Sequence, residues 1–357
     1  MRIAEERSRN RNIRVVLYGI GAMGSLIAKE VTRRRGIEIV GVIDAAKDKI
    51  GRDLGDLLGL KESLGVAVSD DADSVLSAAD ADVVVHATSS FLKDVYPQIR
   101  KIVERGTSVI STCEELSYPY VSDVKIAEDV DRMAKEHLVT VLGTGINPGF
   151  LMDTLAIVLT VVCREIKRME VRRVMDASTR RIPFQKKIGA GLSVEKFNDM
   201  IRKKLITGHV GLKQSIAMIA DALGWVLQSI EVKDAEPVIV EKPLDSGAVK
   251  VDRGYVAGLK QSAIGIKEGK PVIVLEFQAY IGAEEEYDSV TIIGTPEIRQ
   301  KISPCVHGDV GTASIIVNSI PKVLNAAPGL VTMKDLPLPS AALEDMRMYV
   351  KQHRTKC

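Results

Sequence analysis

Cysteine, histidine and tryptophan are scarce in this chain, and the first two scarcities each close a class of function. The 357 residues hold four cysteines, Cys113, Cys163, Cys305 and Cys357, widely spaced and never as C-x-x-C. That pattern predicts neither a disulfide framework nor a zinc ribbon, and reads as a reduced, cytoplasmic protein. The five histidines, His86, His137, His209, His307 and His353, include no pair at metal-ligand spacing, so no metal is expected. Long apolar runs are missing too. The longest, FLMDTLAIVLTVVC at 150–163, is too short for a membrane span and carries Asp153; a buried helix is expected there. Neither sign of charge is in excess: 49 Lys and Arg against 47 Asp and Glu give a net charge of +2, which argues against nucleic-acid or membrane partners. Only Met1–Arg14 is locally basic, with five Arg and two Glu. It lacks the apolar stretch of a signal peptide, so residues 1–12 are expected to be a solvated tail. There is no internal repeat and no low-complexity segment.

What the chain does have is length for two domains and an ordinary 46% of hydrophobic residues. IRVVLYGIG (13–21) is a β-rich apolar run ending in glycine, and AMGSLIAKEVTRRRG continues at helical spacing to Gly36, a predicted C-cap. IEIVGVID (37–44) is a second buried strand ending in Asp44. Gly19, Gly21 and Gly24 therefore form G-x-G-x-x-G between a strand and a helix, with an acid 20 residues beyond. That context identifies a dinucleotide-binding turn. Gly19 permits the tight turn, Gly21 lets backbone approach a pyrophosphate, and Gly24 lets helix and strand pack. The helix start at Ala22 and Met23 offers N–H groups to phosphate. Asp44 favours the ribose hydroxyls of NAD over the 2′-phosphate of NADP, while Lys47, Lys49 and Arg52 soften that preference and leave NADP possible.

The alternation continues through strands at 81–90, 107–115 and 138–150 separated by helical segments, which predicts a doubly wound parallel Rossmann sheet over residues 13–150. Ligands of such sheets lie at the carboxyl ends of the strands. Thr88, Ser89 and Ser90, Cys113–Glu115 and Gly145–Phe150 should therefore converge on the cofactor. After Phe150 the pattern changes. A long strand at 166–178, two helices and several strands, including a hairpin turned at KEGK, predict an α+β substrate domain with a mostly antiparallel sheet over 151–303. The helix at 307–326 is expected to bring residues 304–357 back to the first domain, and a substrate cleft is expected between the domains.

Glu114 and Glu115 follow a strand whose end faces the nicotinamide. A partly desolvated carboxylate there would have a raised pKa suited to general acid–base work. Equally, the pair could start a solvated helix, and adjacent residues point apart, so at most one faces the site. His209 and His307 each lie on a helix-opening turn and are candidates for substrate contact. His86 reads as a satisfied core histidine, and His137 and His353 as surface residues. Arg180, Arg181, Lys186 and Lys187 could hold a substrate carboxylate or form a solvated edge.

The motifs GIGAMGSLIAKE, VVVHATSSFL, STCEELSYP, GTGINPGF, KIGAGLS, GHVGLKQS, HGDVGTA and NAAPGLVTMKDLPLP, in that order, resemble the 2,4-diaminopentanoate dehydrogenase family from about Ile13 to Pro339. That family includes native amine dehydrogenases and shares the fold of dihydrodipicolinate reductase. The resemblance implies NAD(P)-dependent oxidative deamination of 2,4-diaminopentanoate to 2-amino-4-oxopentanoate and ammonia, a step of ornithine breakdown, reversible as reductive amination. It implies that Glu114 is the catalytic carboxylate and that Asn147, Pro148, Phe150, His209 and Thr312 line the substrate pocket. On the RRVMDAS strand, Arg173 and Asp176 are candidate carboxylate and ammonium partners. A homodimer through the antiparallel sheet is expected from the resemblance and the long amphipathic strands. Two other classes of function meet obstacles in the sequence. A dihydrodipicolinate reductase would need a His-His motif that this chain lacks. A non-catalytic NAD-sensing protein would leave Glu114, Asn147 and His209 without a common role.

Overall fold

The computed structural model describes residues 11–351, so most of the expected tail, His353 and Cys357 lie outside the described residues. The chain divides into two compact units: one runs up to Gly149 and resumes at Gly308, and the other is Phe150–His307.

The first unit opens with β1 (Ile13–Tyr18), α1 (Ala22–Thr32) and β2 (Ile37–Ile43). α1 buries Gly24, Ile27, Ala28 and Val31, one stripe at helical period, against the sheet. It closes at Thr32, with Arg33 N–H donating to Glu30 O and Arg34 N–H to Val31 O. Gly36 is therefore not its C-cap; at φ +77° it makes the left-handed turn into β2. There follow α2 (Leu54–Leu58), β3 (Val68–Ser69), α3 (Ala72–Ala78), β4 (Val83–His86), α4 (Leu92–Val103), β5 (Ser108–Ser111), α5 (Val124–Glu136) and β6 (Thr140–Gly143). Every residue of β4, β5 and β6 is buried, as expected of parallel strands covered on both faces. The strand expected over 138–150 is only the four residues of β6. A Cβ on Gly143 would lie 2.4 Å from the backbone of Leu116, so the strand ends where another turn crosses it.

The second unit begins with α6 (Thr154–Leu159), a short helix rather than the expected buried one. It runs into a 3-10 turn whose Val161 and Val162 are 85% and 64% exposed. Its buried polar residue, Asp153, caps it and accepts from Ser215 Oγ at 2.7 Å. Then come β7 (Glu165–Asp176), α7 (Ile182–Lys187), α8 (Val194–Arg202), α9 (Leu212–Ala222), β8 (Ser229–Val232), β9 (Glu236–Ile239), β10 (Leu244–Asp245), β11 (Lys250–Val251), β12 (Val256–Lys267), β13 (Lys270–Tyr280), β14 (Tyr287–Thr295) and β15 (Ile298–Ile302). The main sheet has the order β15-β14-β7-β13-β12-β8, with β9 also on β12. It is antiparallel except where β7 meets β13. The β12–β13 hairpin turns at Glu268 and Gly269, both at positive φ, the conformation a two-residue hairpin loop requires. The core gathers Met169, Val171, Ile216, Ile219, Leu275 and Phe277 from β7, α9 and β13.

The chain then returns to the first unit as α10 (Gly308–Asn325) and β16 (Gly329–Val331). The completed sheet is parallel throughout, in the order β16-β6-β5-β4-β1-β2-β3. This is a Rossmann order with one extra strand beside β6. The order reverses between β1 and β4, which makes their carboxyl ends the ligand-binding crevice of the fold. Among the described residues no helix is long and apolar enough to cross a membrane.

Candidate active site

The loops of the first unit leave the sheet along one edge because the parallel ladder extends past each strand. Ala87 N–H donates to Tyr18 O at 2.8 Å, and Thr112 N–H and Thr144 N–H donate at 2.9 Å to His86 O and Ser111 O. The glycine turn opens this edge. Gly19 sits at φ +90°, and a Cβ there would lie 2.5 Å from Ala87 O. A Cβ on Gly24 would lie 1.9 Å from Gly19 O. Both glycines are required by the protein's own packing. Gly21 is not: nothing lies within 4 Å of its Cβ position. It is the N-cap of α1 and supplies no side-chain bond to the helix. Open space before uncapped N–H groups, at the positive end of the helix dipole, fits a pyrophosphate.

Asp44 lies beside that turn. Its carboxylate accepts from Ile20 N–H at 2.8 Å and Ala46 N–H at 2.9 Å, and Lys49 Nζ stands 3.0 Å away while also donating to Ile20 O at 3.1 Å. Burial pushes the carboxyl pKa up, but these donors and the ammonium outweigh it and hold it below the ordinary aspartate value. Of the three cations downstream of Asp44 in sequence, Lys49 pairs with it, while Lys47 and Arg52 are exposed.

After β4, Thr88 is exposed and donates to Gln98 Oε1 at 2.7 Å, and Ser89 Oγ donates to Asp94 at 2.7 Å. After β5, the chain enters a 3-10 turn at Glu114–Ser117. The two glutamates diverge. Glu115 accepts from Leu92 N–H at 2.7 Å, capping α4, while its own N–H donates to Ser90 O at 3.2 Å. Glu114 is half-buried at the start of the turn, and Ser117 Oγ donates to its carbonyl at 2.7 Å. Cys113 is 1% exposed, its side chain lies in the core, and burial pushes its thiol pKa up to about 12. Only its backbone remains for a ligand. After β6, the Gly145–Gly149 loop folds on itself, and Thr312 of α10 joins it, with Ile146 N–H donating to Thr312 Oγ1 at 3.3 Å. Asn147, Pro148 and Thr312 thus come together in the first unit.

Phe150, Arg173, Asp176 and His209 belong to the second unit. Arg173 and Asp176, the candidate carboxylate and ammonium partners, are both engaged within their own unit. Arg173 is 1% exposed; its guanidinium pairs with Asp288 and donates to Val306 O. Asp176 Oδ1 accepts from Ser178 N–H at 3.0 Å, Ser178 Oγ at 2.6 Å and Gly282 N–H at 3.0 Å, joining the ends of β7 and β13. His209 stacks on Phe277 with ring centroids 4.4 Å apart. Burial, followed by the charges of Lys187 and Arg173, pulls its pKa down to about 3, so the ring is neutral in ordinary buffers. Of the basic cluster, Arg180 is buried, and Arg181, Lys186 and Lys187 are exposed. His307 is exposed. Sequence reasoning did not single out Gly143, Ser111, Gln98 or Asp288. Only Gly143 carried a local signal, the Gly-Thr-Gly at the end of its strand.

A parallel sheet in Rossmann order, a pyrophosphate-shaped glycine turn with its acid, and a carboxylate at the end of β5 define a pyridine-nucleotide-dependent oxidoreductase. The profile described as the 2,4-diaminopentanoate dehydrogenase C-terminal domain matches residues 150–352, and that of the dihydrodipicolinate reductase N-terminus matches 13–113. The chain is 37% identical to 2,4-diaminopentanoate dehydrogenase of Acetoanaerobium sticklandii over 348 residues, covering 95% of this chain and 98% of that one. It is 26% identical to an amine dehydrogenase of Streptomyces virginiae, covering 91% and 96%. The solved amine dehydrogenase of Mycobacterium smegmatis superposes with a TM-score of 0.82 at 28% identity, covering 94% and 99%. The chain belongs to the 2,4-diaminopentanoate dehydrogenase family.

Proposed function

We propose that the protein catalyses the NAD(P)-dependent oxidative deamination of 2,4-diaminopentanoate to 2-amino-4-oxopentanoate and ammonia, and the reverse amination. When bound, the dinucleotide supplies the hydride acceptor, with its pyrophosphate at Gly21–Met23 and its ribose at Asp44. Glu114 takes a proton from the substrate ammonium, because only the free amine has a lone pair to assist departure of hydride from the adjacent carbon. After releasing that proton to solvent, Glu114 takes one from the water that attacks the resulting carbon–nitrogen double bond and returns it to the nitrogen; it then takes the hydroxyl proton as the carbon–nitrogen bond breaks, ammonia leaves and the 4-oxo group forms. The observation that carries this assignment is the division of labour between neighbours: the Glu115 carboxylate is held on Leu92 N–H, and Glu114 opens the turn on the cofactor edge. Asn147, Pro148, Phe150, Thr312 and His209 are the proposed substrate contacts, His209 as a neutral hydrogen-bonding ring. With Arg173 committed to Asp288, Lys187, whose charge His209 feels, is the proposed carboxylate partner. A cytoplasmic homodimer formed through the antiparallel sheet completes the proposal.

Cofactor reduction with 2,4-diaminopentanoate and with simple amines is the direct test. Glu114→Gln should keep NADH binding and lose ~10²–10⁴-fold in kcat, the contribution of a positioned acid–base group. Glu115→Gln should cost much less, since an amide oxygen still accepts from Leu92 N–H. A reversed pattern would exchange the roles, and two small losses would remove both glutamates from the chemistry. Light scattering of the purified protein tests the dimer.

A further inference from the structure

The polar side chains buried between β4 and β5 have no part in the proposed chemistry, yet they join the two loops that carry it. His86 and Ser111 end the two strands side by side in the parallel register, and both are fully buried. Cys113 N–H donates to Ser111 Oγ at 3.1 Å, and Ser111 Oγ lies 2.9 Å from His86 Nδ1. On the other side of the ring, Nε2 lies 2.6 Å from Gln98 Oε1 and 3.0 Å from Thr88 Oγ1. Thr88 also donates to Gln98 Oε1. A carbonyl oxygen only accepts, so Nε2 carries the ring proton; Nδ1 of the neutral ring then accepts from the Ser111 hydroxyl. The bonds run in one direction, from Cys113 N–H through Ser111 and His86 to Gln98, where Thr88 joins. One residue past Glu114, the Glu115 N–H reaches Ser90 O. The backbone on each side of Glu114 is thereby tied to the β4 loop.

We infer that His86 and Ser111 are positioning residues, a buried relay that holds the Glu114 turn in register with the Thr88–Ser90 loop on the cofactor edge. This rests on the reading of Glu114 as the proton acceptor. Burial pulls the ring's pKa down to about 4 and so keeps it neutral, as the relay requires. Both residues are out of contact with solvent, so their effect on turnover runs through Glu114 and Thr88.

The test compares Ser111→Ala, which removes the hydroxyl without adding volume, with His86→Phe and the double variant. For Ser111→Ala, kcat should fall ~10–100-fold, the scale of a misplacement of about 1 Å. KM for the amine and NADH affinity by fluorescence titration should stay near wild type, and the acid limb of the kcat–pH profile should shift. The double variant should be no worse than the poorer single one, because both cut a single path. Additive losses, or a Ser111→Ala enzyme with wild-type kcat and pH profile, would overturn the relay. Should His86→Phe fail to fold, Ser111→Ala decides alone by the same two readouts. A fully active Glu114→Gln would remove the reading on which the relay rests. An inactive Glu114→Gln beside a wild-type Ser111→Ala would overturn the relay only.

Discussion

Asp44, the proposed ribose partner, is paired with Lys49. The carboxylate repels a 2′-phosphate while the ammonium attracts one, so the two residues pull cofactor preference in opposite directions. Asp44→Ser should move the kcat/KM ratio toward NADP and Lys49→Met toward NAD, each by roughly tenfold, about 1.4 kcal/mol. A Lys49→Met enzyme with an unchanged ratio would show that Asp44 acts alone. Arg173 makes a different prediction. Burial raises the Asp288 carboxyl pKa even with the Arg173 guanidinium beside it, so Asp288 depends on that partner to stay charged. Arg173→Met should cost about 3–5 kcal/mol of stability, since it leaves a buried carboxylate unpaired. Urea unfolding measures the loss. A stable variant with raised KM would return Arg173 to the substrate.

Among elements, the glycine turn and the strands it joins were the most legible. β1, α1 and β2 announce themselves by an apolar run, a helical stripe and a second run, and the glycines fall at the joints. Asp44 could be assigned because strand position and spacing agree. β3 and β16 could not be found, since two and three residues are too short to display a period. The run at 150–163 misled for a related reason: apolar content does not reveal that Asp153 caps a short helix while Val161 and Val162 face out. Partners far apart in the chain, such as Arg173 and Asp288 or His86 and Ser111, leave no local pattern at all. The turn also separates two kinds of glycine by experiment. Gly24→Ala sets a Cβ 1.9 Å from Gly19 O and should push α1 off β1, lowering both Tm and NADH binding. Gly21→Ala meets only open space and should keep Tm while weakening NADH. Wild-type NADH affinity in Gly21→Ala would mean that no phosphate approaches there.

For the whole molecule, each unit holds a histidine that stays neutral, the buried His86 at about 4 and the half-buried His209 at about 3, against 6.5 for the unperturbed imidazole. Both pKa values are depressed, so the stability they contribute is fully present above pH 6.5 and is lost as pH falls toward those values. For His86 the slope approaches ~1.4 kcal/mol per pH unit. Urea midpoints should drop between pH 7 and 4.5, and His209→Gln should flatten the slope. A midpoint that is flat over that range in the wild type would contradict the depressed pKa of both rings.

The second unit is inserted, as one contiguous segment, between β6 and α10 of the first. On the ribosome, the glycine turn and Glu114 emerge early, but the outer edge of β6 waits for β16 until the whole second unit has been made. The Gly145–Ile146 loop waits for Thr312 in the same way. A nascent chain halted before α10 therefore carries the dinucleotide turn on a sheet with an unpaired parallel edge, a template for aggregation. Synthesis must run through the whole second unit and on through β16 before that edge is closed.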